Sequence, residues 1–294
     1  MIIDSHAHYA YPRFDAEIPY LCETDGKWDV RRAGREQLIK EMRESNIVGF
    51  IEPSIGFDAI PAQLETVKMH SEYMWAALGV HPTRCFSTAW ANRKRVAEMA
   101  ERENIIAIGE TGLDYHYSRK EQHRLRQIMW FIYQIRLADR LRLPLVLHIR
   151  MADRDALRIL RMNKKRLHGG VVHCFGGDSA LAKQYETLGF AVGIGGKLLS
   201  DNEQGRALSD TVRNAPLSTL LVETDAPYVI PETRDIPCAG NQRKKLCNSS
   251  FILPAVIRRI AELRGEPCEA VEKAIYENTV RVFGLKDTVE NGND

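Results

Sequence analysis

The chain has no C-x-x-C pair, no low-complexity segment or linker, no long apolar run and no excess of charge of one sign. Each absence excludes something. Its six cysteines (Cys22, Cys85, Cys174, Cys238, Cys247 and Cys268) are scattered, which argues against a disulfide framework and for free thiols in a reducing compartment, the cytoplasm. No apolar stretch approaches the roughly 20 residues that a membrane helix needs, so no membrane association is expected. The opening residues Met1-Ile2-Ile3-Asp4-Ser5-His6 carry no basic segment and meet an acid at once, unlike a secretory signal. Lys and Arg number 41 against 39 Asp and Glu, so a generic electrostatic nucleic-acid binder is excluded and any anionic substrate must meet a local patch. No feature signals an obligate protein partner. What remains is a chain of 294 residues, 44% hydrophobic, long enough to bury a core without staples. One domain spanning residues 1–294 is expected.

Eight short β-type segments recur: Met1–Asp4, Val48–Pro53, Met74–Val80, Ile105–Gly109, Leu145–His148, Val171–Cys174, Phe190–Ile194 and Leu220–Glu223. Most are continuous apolar runs, as in strands buried on both faces. Helical periodicity lies between them. In Glu121–Leu141 it places Leu125, Ile128, Met129, Ile132, Ile135, Leu137, Ala138 and Leu141 on one face, with the helix stopping at Leu143 before Pro144. Further helices are expected at Arg93–Arg102, Ala152–Lys165 and Ser179–Leu188, and two more, Phe251–Arg264 and Glu266–Val282, close the chain. Strand and helix alternating eight times predict an α/β fold, a TIM (β/α)8 barrel with additional C-terminal helices.

Two connections are too long for simple turns. Tyr9–Ala33 carries Tyr11, Phe14, Tyr20 and Trp28. Tyr11, Tyr20 and Trp28 could stack the bases of a single strand, but packing of this loop onto the barrel is the favoured expectation. Ala226–Cys247 carries Arg243, Lys244 and Lys245, the best basic cluster for phosphate contacts. Strands one and eight are adjacent in a barrel, so these loops should be neighbours. The last residues, Glu290–Asp294, are expected to fray.

The chemistry collects at strand ends. His6 and His8 lie two apart on the first strand and share a side. The third strand ends at His81, the fourth at Glu110, the fifth at His148, the sixth at His173 and the eighth at Glu223 and Asp225. Barrel active sites are built at this end. So many titratable groups converging on one rim would be desolvated at large cost unless they bind a cation. Imidazole and carboxylate without cysteine suit Zn²⁺, Mn²⁺, Co²⁺ or Mg²⁺. His6, His8, Glu110, His148, His173 and Asp225 suffice for two divalent ions sharing a carboxylate, with Glu110 as the bridge. Zn²⁺ is expected as the bound ion and Mg²⁺ or Mn²⁺ as alternatives for activity. Cys174, beside His173, should point away from the mouth and pack.

The H-x-H of the first strand, GVHP, GETGLDY, PLVLHIR, VHCFGG and LLVETDAPY occur here in the order seen in the TatD-family metal-dependent hydrolases of the amidohydrolase superfamily. The resemblance runs from Ile3 to Phe283. It implies a TIM barrel, a binuclear metal centre and hydrolysis, most often of phosphodiesters in DNA, as in a 3′-5′ exonuclease. By this resemblance His6, His8, Glu110 and Asp225 hold the first metal, and His148 and His173, with Glu110 shared, the second. His81 resembles the histidine facing the substrate phosphate, and Asp114 and Glu223 are read as orienting ligands. Asp225 is expected as general base, with His81 and Arg150 meeting the developing phosphoryl charge. The stretch Arg243–Ser250 keeps Asn248 but departs from the family's R-N-x-P. The substrate is therefore left open between single-stranded or end-frayed DNA and a small amide, lactone or phosphate ester. A non-catalytic metal-binding regulator is a further alternative.

Overall fold

The computed structural model describes residues 1–118, 120–237 and 243–285. Cys238 and the terminal segment expected to fray lie outside the described residues. In chain order the strands are β1 (Ile2–Asp4), β2 (Ile18–Thr24), β3 (Lys27–Ala33), β4 (Ile47–Pro53), β5 (Met74–Leu78), β6 (Ile105–Asp114), β7 (Leu145–Arg150), β8 (Gly170–Val172), β9 (Phe190–Ile194) and β10 (Leu220–Val222). The helices are α1 (Arg35–Arg43), α2 (Ile60–Met69), α3 (Arg93–Arg102), α4 (Glu121–Leu141), α5 (Asp153–Met162), α6 (Ser179–Glu186), α7 (Glu203–Asn214), α8 (Leu253–Arg264) and α9 (Cys268–Phe283). All strands but β2 and β3 form one eight-stranded sheet, ordered β1-β4-β5-β6-β7-β8-β9-β10, and each pairing is parallel.

The first and last strands meet just beyond their regular ends. Ser5 N donates to Val222 O at 3.0 Å, His8 N to Ala226 O at 2.7 Å and Asp225 N to His6 O at 2.9 Å. Ala7 and Ala226 form a parallel bridge. These bonds close the sheet into the expected barrel.

One apolar residue from each of the eight barrel strands (Ile3, Ile51, Ala77, Ala107, Val146, Val171, Ala191 and Leu221) joins a single cluster with Tyr276 and Phe283 of α9 and Leu285. A larger cluster fills the space between the strands and the surrounding helices. Both are the result of strands apolar on both faces. The described cysteines, Cys22, Cys85, Cys174, Cys247 and Cys268, are free.

Three segments differ from the sequence reading. First, α4 ends at Leu141, not Leu143, because Arg142 turns left-handed (φ 55°) and Leu143 N bonds back to Ala138 O at 3.0 Å. Its buried face is Gln127, Trp130, Phe131, Gln134, Ile135, Leu137 and Ala138, while Leu125 and Met129 are 55% and 44% exposed. Two polar side chains on the inner face shifted the apparent apolar stripe. Second, β6 does not stop at Gly109. A register shift between Ile108 and Thr111 lets it continue against β7 to Asp114, the kind of bulge that re-aims a side chain. Gly112 (φ +137°) is needed there, since a Cβ would collide with His148 O.

Third, much of the long first loop is an antiparallel hairpin, β2 with β3, turned at Asp25 (φ 50°) and Gly26 (φ 82°). The Asp-Gly pair is the local signal for such a turn. Tyr20 is buried and donates to Glu41 at 2.6 Å, and Trp28 packs against the core. Leu21 N donates to Cys247 O at 2.9 Å and Cys247 N to Pro19 O at 2.9 Å, which brings the two long loops together.

Candidate metal centre

Every strand end singled out above delivers its side chain to one cavity of about 430 Å³ at the C-terminal mouth of the barrel. His8, His81, Glu110, Asp114, His148, Arg150, His173 and Asp225 line it, joined by Arg84, Tyr117 and Tyr228. Glu110 is the hub, and its two oxygens face different partners. Oε1 is 2.7 Å from His6 Nε2 and 3.4 Å from His8 Nε2. Oε2 is 3.2 Å from His81 Nε2, 3.7 Å from His148 Nδ1 and 3.9 Å from His173 Nε2. Asp225 Oδ1 completes the first side, at 3.4 Å from His8 and 3.8 Å from His6. Three triplets, His6–His8–Asp225, His6–Glu110–His173 and His81–Glu110–His148, each hold their donor atoms within 4.8 Å of one another.

The donor set fits a divalent cation. His6 Nε2 and His8 Nε2 lie 3.2 Å apart, and His148 Nδ1 is 3.0 Å from His173 Nε2. The other ring nitrogen of His6, of His8 and of His173 is buried without a hydrogen-bond partner. Buried polar groups are normally satisfied. Those three atoms are all Nδ1, which a cation held by Nε2 of the same rings would not reach. The fit rests instead on the converging lone pairs, Nε2 of His6, His8 and His173 and Nδ1 of His148, which a cation would share with the carboxylate oxygens of Glu110 and Asp225.

Electrostatics push the members apart in the way a coupled cluster must. Burial opposes the charge of Glu110, but His173, His6 and His81 outweigh it and hold this carboxyl well below the usual range. Burial likewise opposes an imidazolium at His8, yet hydrogen bonds to Asp225 and Glu110 raise it well above the ordinary histidine value. His173 is driven well below it by burial and by the adjacent His6, whose ring stacks on it at 3.8 Å. Burial and His148 bring His81 down to about 3. Thr83 N donates to His81 Nδ1 at 3.1 Å, so the neutral ring carries its proton on Nε2 and points it at Glu110.

Supports behind the cluster are equally specific. Asp114 accepts from Tyr117 N at 2.9 Å through Oδ1 and meets His148 Nε2 at 3.2 Å through Oδ2, leaving Nδ1 toward the cavity. Glu223, pushed well above the carboxylate range by burial and by Asp225, accepts from Cys174 N and lies 3.9 Å from His173 Nδ1. Cys174 does not line the cavity, in keeping with alternation, but it is only half-buried and meets a lysine instead of packing in the core. It adopts φ 49°, and its Sγ lies 3.0 Å from Lys197 Nζ.

Arg150 is at the cavity but exposed. Arg243, Lys244 and Lys245 do not line it: the Arg243 guanidinium donates to Pro231 O at 2.7 Å, and the two lysines face solvent.

Several residues escaped the sequence reading. Gln134 of α4 accepts from Val80 N at 2.7 Å and donates to Val80 O at 3.1 Å, which fixes the residue before His81. Gln127 does the same for Asp114, accepting from its N at 2.9 Å and donating to its O at 3.1 Å. Two glutamines seven apart on a buried helix face were the available signal. Asp4 accepts from His6 N (3.2 Å), Thr224 N (3.0 Å), Thr224 Oγ1 (2.6 Å) and Ser250 Oγ (2.7 Å), tying the two ends of the barrel together under the site. Arg84 and Lys197 lie in short 3-10 turns, Pro82–Arg84 and Gly196–Leu199, and Tyr117 in the turn after β6, with no pattern that marks them.

A closed parallel barrel with imidazoles and carboxylates gathered at its C-terminal mouth defines a hydrolase of the metal-dependent kind. Comparison with known proteins refines the class. Residues 3–284 match the family model described as TatD related DNase. The chain is 31% identical to the 3′-5′ ssDNA/RNA exonuclease TatD of Pantoea ananatis over 253 residues, covering 85% of this chain and 94% of that protein. It is 28% identical to the uncharacterized metal-dependent hydrolase YabD of Bacillus subtilis over 285 residues, 97% of this chain and all of that one. The crystal structure of YJJV, a TatD homolog from Escherichia coli, superposes with a TM-score of 0.78 at 25% identity, covering 97% and 98% of the two chains. The chain belongs to the TatD-related DNase family of metal-dependent hydrolases. No helix among the described residues is long and apolar enough to cross a membrane.

Proposed function

We propose that the protein is a phosphodiesterase acting on single-stranded nucleic acid, a 3′-5′ exonuclease that uses two divalent ions. The observation carrying this reading is the division of Glu110, with Oε1 among His6, His8 and Asp225 and Oε2 among His148, His173 and His81. His6, His8, Glu110 and Asp225 would hold one ion, and Glu110, His148 and His173 the other. Bound there, divalent ions supply an activated water and positive charge for the phosphoryl oxygens. Asp225, at the cavity wall, takes a proton from the attacking water and returns it to the leaving oxygen. His81 donates from Nε2 to a phosphoryl oxygen, its lowered pKa keeping it a neutral donor at physiological pH. Arg150 and Arg84 offer charge at the rim, and Lys244 and Lys245 are free to meet phosphates further along the strand.

The test is hydrolysis of an end-labelled single-stranded DNA oligonucleotide by protein stripped of metal and reloaded separately with Mg²⁺, Mn²⁺ or Zn²⁺. Shortening from the 3′ end should require metal and fall by about 10²–10⁴-fold in Asp225→Asn. Absence of cleavage with any metal, alongside two bound ions per chain, would transfer the site to a small ester or amide.

A further inference from the structure

The mouth has a second chemical character that metal binding leaves unused. The sequence has ten tyrosines, and the exposed ones, Tyr11 (41%), Tyr117 (67%) and Tyr228 (41%), all belong to this rim. Tyr117 follows β6, the fourth barrel strand, and Tyr228 follows β10, the eighth, so the two stand on opposite sides of the cavity.

Each ring follows a site aspartate by three residues and is anchored to it through its backbone N–H. Tyr117 N donates to the side chain of Asp114, at 2.9 Å from Oδ1, and Tyr228 N to the main-chain carbonyl of Asp225 at 2.7 Å. Each is also backed by a partner. The Arg150 guanidinium lies 5.1 Å from the Tyr117 ring centre, and the Tyr11 ring packs 6.4 Å from Tyr228, which in turn meets His8 edge-on at 6.1 Å. A backed ring that keeps one face in water is a poor core residue and a good stacking surface. A guanidinium beside it suits a polyanion.

We infer that Tyr117 with Arg150, and Tyr228 with Tyr11, are two base-stacking platforms that receive the unpaired bases on either side of the phosphodiester to be cleaved. The inference rests on the phosphodiesterase reading above and adds what makes the substrate single-stranded: a paired base has no free path to either ring. It also implies little base preference, because every base offers a π-face.

The test uses the full-length, metal-loaded protein and two oligonucleotides. One is a normal single strand, and the other is abasic on both sides of the labelled terminal linkage. Tyr117→Ala and Tyr228→Ala should each lower kcat/KM on the normal strand by between about five- and 150-fold, mostly through KM, with metal content unchanged. Both should match wild type on the abasic strand, and Tyr117→Phe and Tyr228→Phe should restore activity on the normal one. Equal losses on both substrates would make the rings structural and overturn the inference. So would alanine variants as active as wild type on the normal strand, while the nuclease reading would stand. If wild type cleaves neither strand, the nuclease reading fails and this inference goes with it.

Discussion

The two ends of the barrel are built from the same strands by opposite rules. At the floor, eight side chains, one per strand, close on α9 in a wholly apolar cluster. At the mouth, a few residues further along those strands, five histidines crowd around Glu110 and Asp225 in one cluster. Along β10 and just past its end the change takes four positions, from Leu221 in the floor cluster through Thr224, bonded to Asp4, to Asp225 in the site. The backbone changes with it. Met151, Cys174 and Asp225, one to three residues past the ends of β7, β8 and β10, all take φ between 49° and 57°. Non-glycine residues there are costly and persist where surrounding structure enforces them. The floor is satisfied by the protein alone, whereas the mouth leaves a ring nitrogen of His6, His8 and His173 buried without a partner. Stability and chemistry are thus separable along a single strand.

Three measurements would break or sharpen that contrast. The largest effect belongs to Glu110→Gln, which removes the group both halves of the site share. Metal content should fall, with kcat/KM dropping by at least about a hundredfold. The urea midpoint of the metal-free protein should move less than that of a floor variant. A collapse of the metal-free fold would show that the mouth is a structural core after all. Next in size, Leu221→Ala opens a cavity in the floor and should cost about 2–5 kcal/mol in urea unfolding. Metal bound per folded chain should not change, and a loss of metal would mean the two ends are coupled through β10.

The smallest effect is that of Glu52→Gln. Glu52 is buried beneath the first loop, accepts from Ala10 N at 3.0 Å and is pushed by burial from 4.5 up to about 7. Between those values the folded protein keeps a proton that the unfolded chain has lost, so stability falls as pH rises through that window. The favourable contribution is complete below the unfolded value and gone above the folded one. Glutamine preserves the acceptor without the titration, so the melting temperature of the metal-free variant should vary less with pH than that of wild type.

The floor was more legible in the sequence than the mouth's supports. Runs such as Leu145–Leu147 and Leu220–Val222 are apolar for a single reason, burial on both faces, so periodicity finds them. The metal-site candidates were visible because imidazoles and carboxylates at strand ends have no bland explanation in such numbers. Gln127 and Gln134 were not visible, since a glutamine on a helix reads as solvated until the backbone it bonds is known. Tyr117 was hidden because its exposure depends on a loop that runs over the rim. The hairpin β2–β3 could have been read from Asp25-Gly26. The basic stretch Arg243–Lys245 looked like one phosphate patch, yet the Arg243 guanidinium is engaged by the carbonyls of Pro231 and Thr233.

The seam between the first and last strands has a bearing on synthesis. Asp4 and Thr224, 220 residues apart, are bonded across it, and His6 and His8 meet Asp225 only there. A chain built only as far as β9 already holds most of the cluster, and β1 already pairs with β4, but Asp225 and the second neighbour of β1 are missing. The first half of the site is therefore incomplete until the last barrel strand has joined the first. A fragment cut short before β10 would lack the same carboxylate, so the set of site residues is assembled only where the two ends of the sheet meet.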